Sequence, residues 1–117
     1  MQGDITLSLF KDAGREYMTA KKEKMNDRLR VEISGSVDAN TADSLRSAVM
    51  DELDDVTIVV FEMAEMDYIS SAGLRVILEV YQTLDERDGK VVLENVREEL
   101  REIFELTGFS DFMEMKN

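Results

Sequence analysis

The chain has 117 residues, 44% apolar and 34% charged, enough for one sheet-and-helix core and too short for two. Its 26 acidic residues against 14 basic ones give a net charge of −12, which repels phosphate backbones and argues against nucleic acid as a partner. Neither cysteine nor histidine is present, which removes disulfides, thiolate chemistry, the usual general base and the commonest metal ligand.

Residues 1–17 read as an N-terminal extension of a domain expected over 18–117. Met1 to Phe10 lacks the basic head and apolar block of a secretory signal. No later run approaches the roughly 20 apolar residues of a membrane span, so a cytoplasmic chain without membrane insertion is expected. Asp4 to Phe10 alternates, with Ile5, Leu7 and Leu9 on one side, and Lys11-Asp12-Ala13-Gly14 reads as a turn. The segment suits an edge strand, an interface arm or a leader. Its apolar side could also pair with a second copy to give a homodimer.

Tyr17 to Lys24 follows as a polar strand. Asn26-Asp27 turns the chain before Leu29, Val31 and Ile33, whose period of two marks a strand with one buried face. Gly35 and Asp38 close it, and Asn40 or Thr41 can cap the next element. Ala42, Leu45, Ala48, Val49 and Leu53 recur at helical spacing, and the acidic run Asp51 to Asp55 ends that helix in solvent. Val56 to Phe61 is apolar on both parities, as in a central strand covered on both faces. Met63, Met66, Tyr68 and Ile69 lead on to Ser70 and Ser71, where a second helix begins.

That helix is expected to stop at Asp88-Gly89, because glycine tolerates a left-handed backbone. Val91-Val92-Leu93 is another buried strand. Asn95 with Glu98 three residues on predicts a capping box for a third helix, with Leu100, Ile103, Phe104 and Leu106 or Thr107 inward. Gly108 ends it, and Phe109 and Phe112 are expected to fold back onto the core. Strands and helices alternating in short steps predict one α/β domain with right-handed βαβ crossovers and a largely parallel sheet.

Catalysis is not expected. A serine-hydrolase elbow needs glycines two before and two after the nucleophile and a histidine base, but Tyr68 or Ile69 sits two before these serines and the chain has no histidine. Gly73 alone does not make a phosphate loop, and no calcium-loop spacing or other metal-ligand set is evident. A small-molecule site would need a pocket near Phe61, Tyr68 and Ser71. No cofactor is predicted.

The paired serines carry the functional signal. One serine is explained as an N-cap, whose oxygen accepts a first-turn N–H. If Ser70 caps, Ser71 becomes the first helical residue, with its hydroxyl free at the positive end of the helix dipole. Ser71 is therefore the candidate phosphoacceptor, with Ser70 as the alternative. A phosphate there would change surface charge and bulk without unfolding the domain.

On this helix Arg75, Glu79, Gln82 and Glu86 form a polar face, while Leu74, Ile77, Leu78, Tyr81 and Leu84 face the sheet. Val76 and Val80 widen the apolar arc to roughly 200°, against the ~100° that a helix lying on a sheet requires. Either a neighbouring helix covers them, or Ala72, Gly73, Val76 and Val80 border a docking patch.

Three segments together resemble the STAS-domain family of bacterial anti-sigma factor antagonists. They are Gly35-Ser36-Val37-Asp38-Ala39-Asn40-Thr41-Ala42, Ile58-Val59-Val60-Phe61, and Tyr68-Ile69-Ser70-Ser71-Ala72-Gly73-Leu74. The likeness covers most of the chain from about Met18. It implies a mixed, mostly parallel sheet with helices packed against it, in a regulated binding module rather than an enzyme.

Within that family the unmodified protein binds an anti-sigma factor, often a serine kinase. Phosphorylation ends the binding and a phosphatase restores it. Matching the motif through Gly73 and Leu74 puts the acceptor at Ser71. Ser70, Ala72, Gly73, Val76, Val80, Asp38, Asn40 and Thr41 are then the expected partner-binding positions. The chain departs from the common pattern at Ser70, where Asp is frequent, at Ala72, where Ser or Thr is frequent, and at Glu62, where Asp is frequent. An unphosphorylated accessory subunit of a membrane transporter or other regulatory complex is the alternative role.

Overall fold

The structure, a computed structural model, describes the backbone of residues 5–11 and 16–117 and the side chains from Met18 onward. Beyond Lys11, the turn expected at Lys11-Asp12-Ala13-Gly14 lies outside the described residues, as do the directions of Ile5, Leu7 and Leu9. Six strands form one sheet in sequence order: β1 (Ile5–Lys11), β2 (Glu16–Met25), β3 (Arg28–Val37), β4 (Ile58–Ile69), β5 (Lys90–Glu94) and β6 (Glu114–Lys116). The first two pairings are antiparallel and the last three parallel, so the sheet is mixed and mostly parallel. Asn26, at φ 57°, turns the two-residue hairpin between β2 and β3.

Three helices make the crossovers: α1 (Ala42–Met50), α2 (Ser71–Asp85) and α3 (Glu98–Leu106). Right-handed crossovers that always step the same way across a sheet put every helix on one face. The core lies between that face and the helices. Leu29, Val31 and Ile33 meet Phe61, Met63, Leu93, Leu45, Ile77 and Phe104 there. Among the described residues, no helix is long and apolar enough to cross a membrane.

β4 is covered on both faces, as its double apolar parity predicts, but helices cover only one of them. Val60 and Val92 are buried yet stand apart from this core cluster. Arg30 on β3 sits opposite Val60 and donates to Glu94 on β5 at 2.9 Å, so its side chain spans β4 on the open face. The apolar stem of an arginine can shield such valines while its head stays wet.

Several ends also differ from expectation. Asp88, at φ 62°, takes the left-handed conformation after α2. Gly89 is required for another reason, since a Cβ there would stand 2.4 Å from the Thr57 carbonyl oxygen. Asn95 is no cap: its backbone is left-handed (φ 56°), its amide donates to Glu62 at 2.8 Å, and α3 starts at Glu98. Leu106 is 88% exposed rather than inward. Phe109 is buried against Phe104, whereas Phe112 is half-exposed and packs on Tyr81 with ring centroids 4.7 Å apart.

The acidic end of α1 is less solvated than its composition suggests. Lys22 Nζ donates to the Ala48 carbonyl at 3.0 Å and pairs with Glu52 at 3.3 Å. Arg87 donates to the carbonyls of Leu53 and Val56. Lys22 from β2 thus satisfies a last-turn carbonyl and opposes the negative pole of the helix, while Arg87 from the turn after α2 holds the loop that follows it.

Candidate functional site

Sites in open α/β sheets form outside the carboxyl ends of the strands. Here β3 and β4 run parallel and end together, with Val37 opposite Ile69, and each feeds a helix at once. The Ser70 N–H donates to the Val37 carbonyl at 2.8 Å, which joins the mouths of α1 and α2 into one rim.

At the α2 mouth, Ser70 is the N-cap, with extended backbone (φ −94°, ψ 177°), and its Oγ accepts the Gly73 N–H at 3.3 Å. Ser71 is the first helical residue and is exposed. No hydrogen bond holds its hydroxyl among the described residues. The cap therefore occupies one serine and leaves the other open to solvent at the positive pole of the helix.

Gly73 faces inward. A Cβ on it would lie 2.7 Å from Ile69 Cγ1, 2.8 Å from Val37 Cγ1 and 3.2 Å from the Val37 carbonyl oxygen. Glycine is thus needed so that α2 can seat against the two strand ends, not to leave room for a partner. Ala72 is half-buried.

The α1 mouth is held by Asp38. Its Oδ1 accepts the backbone N–H groups of Asn40 (2.9 Å) and Thr41 (3.2 Å). Thr41 is the N-cap by backbone position but makes no side-chain cap bond. Instead its buried hydroxyl donates to the Ser36 carbonyl at 3.0 Å and accepts the Asp38 N–H at 2.9 Å. The capping expected of Asn40 or Thr41 is therefore absent: Asp38 braces the loop before α1, its backbone carbonyl accepts the Ala42 N–H at 2.8 Å, and Asn40 is left exposed beside it.

Of the residues read as a docking surface, the structure brings Ser70, Ala72, Asp38 and Asn40 to one rim beside Ser71, the expected phosphoacceptor. Thr41 and Gly73 lie beneath it. Val76 (3% exposed) and Val80 (0%) are core residues, which corrects their reading as a patch border. The buried stripe of α2 is Gly73, Val76, Ile77, Val80 and Leu84, while Leu74, Leu78 and Tyr81 lie half-buried on its flank. α1 packs against α2, tied to it by the 2.7 Å Arg46–Glu79 ion pair.

The pocket reading also fails, because Phe61 lies in the core and seven residues of strand, about 23 Å, separate it from Tyr68. Tyr68 instead belongs to the rim. It is 51% exposed, opposite Ser36 and next to the serines, an aromatic at the edge of the rim. Two register shifts in the β3–β4 ladder turn it outward, and period-two reading of the sequence does not show them.

Comparison with known proteins identifies the fold. The STAS domain family model matches residues 18–117. An anti-sigma-B factor antagonist from Listeria monocytogenes is 30% identical over 97 residues, covering 82% of this chain and 85% of the relative. The unphosphorylated anti-sigma factor antagonist SpoIIAA superposes with TM-score 0.74 at 17% identity, covering 84% of this chain and 88% of that one. The phosphorylated form of the Bacillus cell fate determinant SpoIIAA gives 0.69 at 17% identity, covering 84% and 91%.

Proposed function

Because this chain belongs to the STAS domain family, we propose that it is an anti-sigma factor antagonist that binds an anti-sigma factor with serine kinase activity. Phosphorylation of Ser71 switches it off, and a phosphatase resets it. The observation that carries this reading is the division of labour at the α2 mouth. Ser70 is committed to the cap, and Ser71 is exposed and unbonded beside it. The antagonist names of its relatives, and a related fold solved both with and without phosphate, support it.

On this account the partner docks on the rim formed by Ser70, Ser71, Ala72, Asp38 and Asn40. A phosphate of about −1.5 to −2 charge, held at the helix pole, repels the partner without disturbing the core. No step requires a cofactor or catalysis by this chain.

The test is incubation of the full chain with ATP and each kinase-type anti-sigma factor of its own genome, followed by mass mapping. One phosphate on Ser71, absent in Ser71→Ala, is expected. Ser71→Asp should weaken binding of the kinase at least about tenfold, some 1.4 kcal/mol. Absence of phosphate with a competent kinase, together with unchanged partner binding by Ser71→Asp, would overturn the switch in favour of a constitutive accessory subunit.

A further inference from the structure

We infer that Arg75 is the internal counter-ion of the phosphorylated Ser71, an intrahelical clamp that holds the phosphate on the α2 surface. This rests on Ser71 being the modified residue. Ser71 and Arg75 stand four apart on one helix, which places them on the same face one turn apart. Helical side chains lean toward the N-terminus, so Arg75 leans back over the turn that begins with Ser71. Both residues are exposed.

Arg75 is also free to act. Arg30, Arg46, Arg87, Arg97 and Arg101 all hold acceptors in the described structure, while Arg75, like the distant Arg28 at the start of β3, holds none. The acid that would ordinarily pair with it, Glu79 four residues on, is bonded at 2.7 Å by Arg46 from α1. The first turn of α2 contains no acidic residue. A phosphate at Ser71 would therefore meet an unoccupied guanidinium, whose planar fork suits phosphate oxygens. The clamp would favour the dianion and fix its orientation.

The test uses the full chain with phosphoserine installed at position 71 during translation, so no kinase is needed. The second ionisation of the phosphate, normally near pH 6, is followed by phosphorus NMR in the unsubstituted chain, Arg75→Gln and Arg75→Lys. The clamp predicts an apparent pKa about 0.3 unit lower in the unsubstituted chain than in Arg75→Gln. Arg75→Lys should fall between them. The difference should shrink in about 1 M salt, where charges are screened beyond about 3 Å. Equal values, a reversed order or a difference insensitive to salt would overturn the clamp and leave the kinase reading standing. Failure of a competent kinase to modify Ser71, together with unchanged partner binding by Ser71→Asp, would overturn that reading whatever this titration shows.

Discussion

Ser70 and Ser71 carry the same hydroxyl, and one backbone position separates their tasks. Ser70 has extended backbone and spends its oxygen on Gly73, whereas Ser71 is helical and has no partner among the described residues. Ser70→Ala should therefore lower stability by about 1 kcal/mol, while Ser70→Gly loses only a few tenths. Urea unfolding measures the loss, and the kinase assay should still find phosphate on Ser71. Gly73 makes the opposite kind of contribution, by absence of a side chain. Alanine is the better helix former by about 1 kcal/mol, but its Cβ would overlap two buried β-branched side chains that cannot swing away. Overpacking of this kind costs about 1–3 kcal/mol. Gly73→Ala should thus be net destabilising by up to about 2 kcal/mol, and a variant more stable than the parent would refute the close seating of α2.

Among the elements, β4 shows best where sequence patterning succeeds and where it stops. Strict alternation from Phe61 and Met63 would bury Glu65 and Asp67. Instead Met63, Met66 and Ile69 are buried, every third residue, because register shifts insert extra residues on β4 against β3. The Glu62 carboxylate steadies this stretch by accepting the Ala64 N–H at 2.8 Å and the Asn95 amide at 2.8 Å. Residue order alone does not encode the long-range Asn95 bond, which explains why Asn95 is not the cap it resembles. The α1 terminus depends on similar distant support. The side chain of Lys22 is only 11% exposed while bonding Ala48 O and Glu52. Lys22→Met keeps most of the volume and removes the charge, so unfolding free energy should fall by about 1–2 kcal/mol. An unchanged urea midpoint would show that water replaces the lysine at no loss.

For the molecule as a whole, the largely parallel sheet, the helix order and the special position of the serines were legible in the chain. Period-two runs at Leu29–Ile33, helical spacing at Ala42–Leu53 and doubled hydroxyls are local signals. The rotation of α2, the outward turn of Tyr68 and the burial of Val60 beneath Arg30 were not. Each depends on which neighbour arrives from elsewhere in the sequence, and helical spacing gave the width of the apolar arc but not its direction. The same rigidity that hid these details gives the proposed switch its character. With Gly73 locked against Val37 and Ile69, and Asp38 holding the adjacent loop, added charge has no soft element to refold.

The most direct measurement compares backbone amide NMR spectra of the full chain before and after phosphorylation at Ser71. The account predicts shifts confined to the first turns of α2 and the loop from Asp38 to Thr41, with core amides at Leu45, Phe61 and Phe104 unmoved. Shifts spread through those core positions would contradict a switch that works by surface charge alone.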